Sequence, residues 1–193
     1  PEDHYANEAI KWAVDSKVIT GYPNGNFGTD DPVTEEQFVK MIYTFLPRRI
    51  ENSPIPKYTP EKVWSDVYYE QIIEYETPLL GYTVNSIRSK PIARGQLAQI
   101  IASLMSNTSD LEQSIHYLIT NNITNGVNPS MINSDLHAFF GTSSPLTRAQ
   151  AVVFLHRLYM QQGLLFNANS RIDEVDEKTI TLAQLAKNGT AKV

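Results

Sequence analysis

Two sets of charged residues have types and spacing that chemistry could use. The first is acidic: Asp30, Asp31, Glu35 and Glu36 fall in one short stretch. Two carboxylates close together can serve a hydrolase as acid and base. With Asn24 and Asn26 just upstream, the same stretch offers oxygen ligands for calcium. Each acid also has a local structural role. Asp30 and Asp31 sit in a turn, and Glu35 and Glu36 occupy a first helical turn, where the helix dipole favours anions. The calcium reading, a dockerin-like protein-binding module, needs acidic loops in duplicate, yet no acid lies between Gly81 and Pro91. His4, His116, His137 and His156 lack metal-ligand spacing, and the chain has no cysteine. No catalytic residue, metal or cofactor is therefore expected.

The second set is cationic. Arg94 and Arg148 each stand at the first helical position of an apolar run. A cation there opposes the helix dipole. Its functional use is an anion-binding corner, a guanidinium beside helix N–H groups left unpaired. Its ordinary use is an ion pair with a nearby Asp or Glu. On helix physics alone, Arg94→Ala and Arg148→Ala are expected to leave the fold intact, because alanine is tolerated at a first helical turn.

The elements that position these charges come from one stretch written three times. It reads Asp31-Pro32-Val33-Thr34-Glu35-Glu36-Gln37-Phe38, then Lys90-Pro91-Ile92-Ala93-Arg94-Gly95-Gln96-Leu97, then Ser144-Pro145-Leu146-Thr147-Arg148-Ala149-Gln150-Ala151. Each copy is a helix start. Proline closes an extended segment. Thr34 and Thr147 suit the N-cap, with Gln37 and Gln150 completing a capping box. Val33 with Phe38, and Ile92 with Leu97, have hydrophobic-staple spacing, and Leu146 with Ala151 repeats it weakly. The second copy has Ala93 at the cap and Gly95 inside, so it is expected to be the weakest start locally.

Composition narrows the function further. The chain has 193 residues, 41% of them hydrophobic, with 16 basic and 21 acidic residues and a net charge of −5. An acidic balance argues against general nucleic-acid binding. No apolar run is long enough to span a membrane. No signal peptide is recognisable, and the chain opens on a motif, so it is expected to be a mature or excised fragment.

Around the first copy run His4-Tyr5, then Ala9-Ile10-Lys11-Trp12-Ala13-Val14, then Ile19-Thr20-Gly21-Tyr22-Pro23-Asn24-Gly25-Asn26-Phe27. In that order they resemble the S-layer homology (SLH) domain, whose TRAE-type signature the repeated stretch also resembles. Trp64, Asp66 and Val67 match the aromatic-x-Asp-Val opening of a second such repeat. Leu79-Leu80-Gly81-Tyr82 parallels Ile19-Thr20-Gly21-Tyr22, and Ile123-Thr124-Asn125-Gly126 carries one inserted residue. The expected organisation is repeat one at 1–46, a proline-rich linker at 47–62, repeat two at 63–107, repeat three at 108–162, and a tail or linker at 163–193. A short helix from Ser134 to Phe140 is expected within the longest loop.

The resemblance implies an all-α, pseudo-threefold unit, with the second helix of each repeat facing a central bundle. It implies grooves between repeats that bind secondary cell wall polysaccharide through pyruvylated N-acetylmannosamine. The function would then be non-covalent anchoring of an exported protein to a Gram-positive-type wall, with no enzymatic activity. Other S-layer regions are a further partner class. In such grooves Arg94 and Arg148 would hold the pyruvyl carboxylate, with Thr147 beside Arg148. Tyr22, Tyr82 and Trp12 would offer faces for sugar rings. Gly21, Gly81 and Gly126 would let a ligand approach the backbone. Glu35 replaces arginine in the first copy and withdraws that charge. Trp12 is expected to pack structurally.

Overall fold

A computed structural model describes residues 4–43 and 63–162; the expected linker at 47–62 and tail at 163–193 lie outside them. Eight α-helices form among the described residues: α1 Asn7–Asp15, α2 Glu35–Tyr43, α3 Asp66–Ile72, α4 Asn85–Arg88, α5 Arg94–Ser106, α6 Leu111–Thr120, α7 Leu136–Phe140 and α8 Arg148–Gln162. No strand forms there beyond isolated bridges, so the all-α expectation holds. The loop expected between Gly81 and Pro91 contains α4, which the sequence reading did not anticipate. The expected short helix is α7.

The repeated stretch produces α2, α5 and α8. Both capping boxes form: the Thr34 hydroxyl accepts from Gln37 N at 3.4 Å, and Thr147 from Gln150 N at 3.2 Å. The glutamines reciprocate to Thr34 N and Thr147 N. Ala93 has no such cap. Apolar residues at helical spacing then enter one core, among them Phe38 and Ile42 on α2, Leu97 and Ile101 on α5, and Val152 and Leu155 on α8. The small residues Ala98 and Ala151 are fully buried and allow close packing. Around these three run α3, α6 and α1, packed on α2, α5 and α8 respectively.

The three copies meet in a closed ring of backbone hydrogen bonds. Val33 N donates to Leu146 O at 2.8 Å, Leu146 N to Ile92 O at 2.9 Å, and Ile92 N to Val33 O at 3.0 Å. All three side chains are buried, where an unpaired peptide group is costly. A second cycle surrounds the first. Glu35 N donates to Lys90 O, Arg94 N to Ser144 O, and Arg148 N to Asp31 O. Each copy thus caps the helix of another. Proline suits the junction because Pro32, Pro91 and Pro145 face the cap residues Thr147, Thr34 and Ala93 without needing to donate.

Candidate functional site

The outer helices α1 and α6 end alike. Lys17 and Asn122 adopt left-handed φ of 57° and 56°. Val18 N then bonds Ala13 O, and Ile123 N bonds Leu118 O. These are Schellman stops, which turn the chain sharply. Glu76, also left-handed at φ 52°, ends the 3-10 turn that follows α3, its N–H donating to Ile73 O. Each stop delivers the following loop, with its Gly21, Gly81 or Gly126, to the N-terminus of a helix from a different copy.

In the first groove the loop at Gly21 and Tyr22 meets Arg148. The Arg148 guanidinium is buried. Its Nε donates to Phe27 O at 2.8 Å and its Nη2 to Thr20 O at 2.8 Å. It lies 4.7 Å from the Tyr22 ring centroid and 4.9 Å from that of Phe27. The Tyr22 hydroxyl donates to Asp31 Oδ2 at 2.8 Å, which pushes its pKa up. Lys17, Gln37, Lys40, Met41 and Trp64 complete a cavity of about 280 Å³. Trp64 is half exposed, at 51%, and offers a flat apolar face beside three cations.

The second groove repeats this plan. The loop at Thr124–Val127 meets Arg94, whose Nε donates to Phe140 O at 2.9 Å. The guanidinium lies 4.9 Å from the Phe140 ring and 5.2 Å from Phe154. Desolvation lowers the Arg94 pKa to about 10, which leaves it charged at neutral pH. No acceptor among the described residues takes its Nη atoms. Tyr5, Gln150, Val153, Phe154 and Arg157 help line a cavity of about 440 Å³. Burial raises the Tyr5 pKa, and the Asp30 charge adds to this, while Arg94 and a hydrogen bond with Thr147 oppose it. Thr147 therefore caps α8 and also lies beside Tyr5.

The third position is filled. Glu35 is buried, and its Oε1 accepts from Tyr69 Oη at 2.8 Å and Gly81 N at 2.7 Å. Its Oε2 accepts from Gln96 Nε2 at 2.6 Å. Arg88, from α4, donates Nε to Gly81 O at 2.7 Å, pairs with Asp66, and lies 4.0 Å from the Tyr69 ring centroid. Tyr82 turns inward, its hydroxyl 2.8 Å from Thr77 Oγ1 and its ring edge-on to Tyr69.

The sequence-predicted residues therefore separate. Gly21, Tyr22 and Arg148 come together in one groove, Gly126 and Arg94 in another, and Gly81 and Tyr82 at the filled position. Trp12 stands apart, its ring 5.0 Å from His156 and stacked 5.4 Å from Tyr159 on α8. The glycines do not all face open space. A Cβ on Gly126 would meet the Phe139 ring at 2.4 Å, and one on Gly81 would meet Glu35 Oε1 at 2.4 Å. The helix N–H groups beside the arginines are also taken. Arg94 N and Gly95 N donate to Ser144 O and Thr142 O, and Arg148 N and Ala149 N to Asp31 O and Thr29 O. The expected corner of unpaired N–H groups is thus absent, and any anion there meets the side chain. The ordinary alternative fails too, because neither arginine forms an ion pair among the described residues.

Helix-local reasoning missed Arg88, Trp64, Tyr5, Lys40 and Arg157. Two signals carry most of them. Lys40 and Arg157 continue the groove face set by Gln37 and Gln150, at helical spacing. Trp64 and Tyr5 are aromatics immediately before the caps of α3 and α1.

The model of the S-layer homology domain family matches residues 1–39, which span α1, the Gly21 loop and the start of α2. A cellulosome-anchoring protein of Acetivibrio thermocellus is 29% identical over 77 residues, covering 37% of this chain and 17% of that protein. The chain thus spans less than a fifth of this relative. The likeness to the S-layer homology domain family thus covers 39 of the chain's 193 residues.

Proposed function

We propose that this region anchors a surface protein non-covalently to the bacterial cell wall by binding an acidic wall polysaccharide. Its three copies of the repeated stretch are read as three tandem SLH repeats around a pseudo-threefold axis. The ring of bonds joining Val33, Ile92 and Leu146 supports that reading. The observation that carries the function is the pair of buried arginines without acidic partners, each opening on a cavity between helices of different copies. A buried guanidinium without an internal carboxylate has electrostatic capacity for an external one. The match to a cell-surface domain family and to an anchoring protein supports the location and the role.

The ligand class follows from the groove chemistry. Tyr22 and Trp64 suit sugar faces, and Lys17, Lys40 and Arg148 suit a carboxylate. A pyruvyl ketal on N-acetylmannosamine supplies both a ring and one carboxylate. Binding through these side chains involves no metal and no bond-making step. The test is co-sedimentation with purified pyruvylated wall against the same wall after depyruvylation. The chain should pellet with the first and stay in solution with the second. Equal pelleting, or pelleting that a chelator abolishes and calcium restores, overturns this ligand assignment.

A further inference from the structure

The third position is a charge-inverted counterpart of the two grooves, and it bears on how many ligands the chain can hold. In each groove the first residue of the repeated helix is an arginine beside two aromatic rings, Tyr22 and Phe27 of the loop after α1 for Arg148, and Phe140 of α7 and Phe154 of α8 for Arg94. At the third position that residue is Glu35, and the guanidinium comes from α4 instead, as Arg88 over Tyr69. Every strong polar group there is consumed internally. Glu35 takes three donors, and Arg88 takes Gly81 O and Asp66. Glu35 is 1% exposed and Arg88 2%. An incoming carboxylate would have to displace Glu35 from donors it already satisfies, beside a second carboxylate at Asp66. Like charges in a desolvated site repel strongly.

We infer that this chain binds two acidic saccharides, one at Arg148 and one at Arg94, and that the Glu35–Arg88 cluster is a permanent internal lock. The lock joins helix α2 to the Gly81 loop and to α5, because the Glu35 carboxylate accepts from Gly81 N and Gln96 Nε2, 46 and 61 residues away in sequence. It holds together two parts of the chain separated by residues 44–62. This inference rests on the saccharide-binding reading above and adds the number of sites and the task of the remaining one.

The experiment is calorimetric titration of the full chain with a synthetic disaccharide bearing a single pyruvyl group, paired with thermal melts. Two equivalents should bind. Arg148→Met and Arg94→Met should each leave one equivalent. Glu35→Ala should keep both while lowering Tm by about 4 °C or more, as expected for the loss of several buried hydrogen bonds. If that variant does not fold, Glu35→Gln reports the same comparison with a smaller shift. Three equivalents in the parent, or an equivalent lost on changing Glu35, overturns the lock. No binding of the probe by the parent overturns the saccharide reading itself, and the lock's binding count falls with it. The two failures are therefore distinct.

Discussion

The Arg148 groove and the Glu35 cluster start from the same local script and end in opposite states. Both have a glycine loop delivered to the start of a repeated helix. Both hold a buried guanidinium against an aromatic ring, 4.7 Å from Tyr22 in one and 4.0 Å from Tyr69 in the other. The difference lies in what else is buried. Arg148 is satisfied by two carbonyls and no carboxylate, so its charge is left for an external partner. Arg88 shares its site with Asp66 and Glu35, so nothing is left over. Burial of an arginine does not by itself make a binding site; the local charge balance decides whether a ligand has anything to complete.

The largest test of this contrast is a single methyl group. A Cβ at Gly81 would sit 2.4 Å from Glu35 Oε1, 2.6 Å from Arg88 Cγ and 2.6 Å from Tyr69 Oη. At Gly21 it would meet only the Asn26 carbonyl, with O at 3.2 Å and C at 3.8 Å. Gly81→Ala should cost about 3 kcal/mol or more, and Gly21→Ala less than about 1 kcal/mol, by chemical denaturation. Similar losses would mean that the two loops are equally packed.

Next come the arginines, where the structure revises the expectation of an untouched fold. Arg148→Ala leaves Thr20 O and Phe27 O without their donors and strips a cation from two rings. It should cost about 2–3 kcal/mol. Arg94→Ala also strips a cation from two rings, but it loses only one carbonyl bond and a charge that burial already penalises, so its cost should be smaller, about 1–2 kcal/mol. The order of the two melting temperatures checks this.

A smaller effect appears in alkali. Burial, reinforced by the Glu35 charge, holds the Tyr69 pKa far above that of an ordinary phenol. Below pH 10 both folded and unfolded chains keep this proton, so it adds no slope. Above pH 10 the unfolded chain releases it and the folded chain does not, and stability falls by about 1.4 kcal/mol per pH unit. Tyr69→Phe should remove one proton's worth of that slope in melts between pH 10 and 11. An unchanged slope would mean that Tyr69 ionises freely in the fold. Burial also raises Tyr117, to about 12, so part of the slope should remain.

The smallest effect concerns Lys40, which is exposed at the rim of the Arg148 groove. Lys40→Ala should weaken saccharide binding only about two- to threefold and reduce its salt dependence, as screened surface charges do. A tenfold loss would place Lys40 at the centre of the contact.

How much of this was legible in the sequence depended on the range of the interaction. Thr34 with Gln37 and Thr147 with Gln150 are three residues apart, and both capping boxes form as read. Helix type and core face followed from periodicity in the same way. The arginines were legible as unusual but not as buried, because the loops that cover them come from elsewhere in the chain; Phe27 is 121 residues from Arg148. Gly95 shows the same limit. It reads locally as a weakness, yet a Cβ there would press on Thr142 O at 3.1 Å and Leu111 Cδ1 at 3.2 Å. That close approach lets Thr142 O accept from Gly95 N, which supports the helix whose cap residue, Ala93, has no side chain to do so.

The ring through Val33, Ile92 and Leu146 also sets an arithmetic. An open stack of repeats can gain or lose a member at its end, because the remaining contacts are all between neighbours. A closed cycle has no end. Deleting one stretch leaves a buried donor and a buried acceptor with nothing to meet, and inserting a fourth widens a junction that three peptide groups already fill. Gaining or losing a single copy inside this unit is therefore costly in a way that it is not for an open stack.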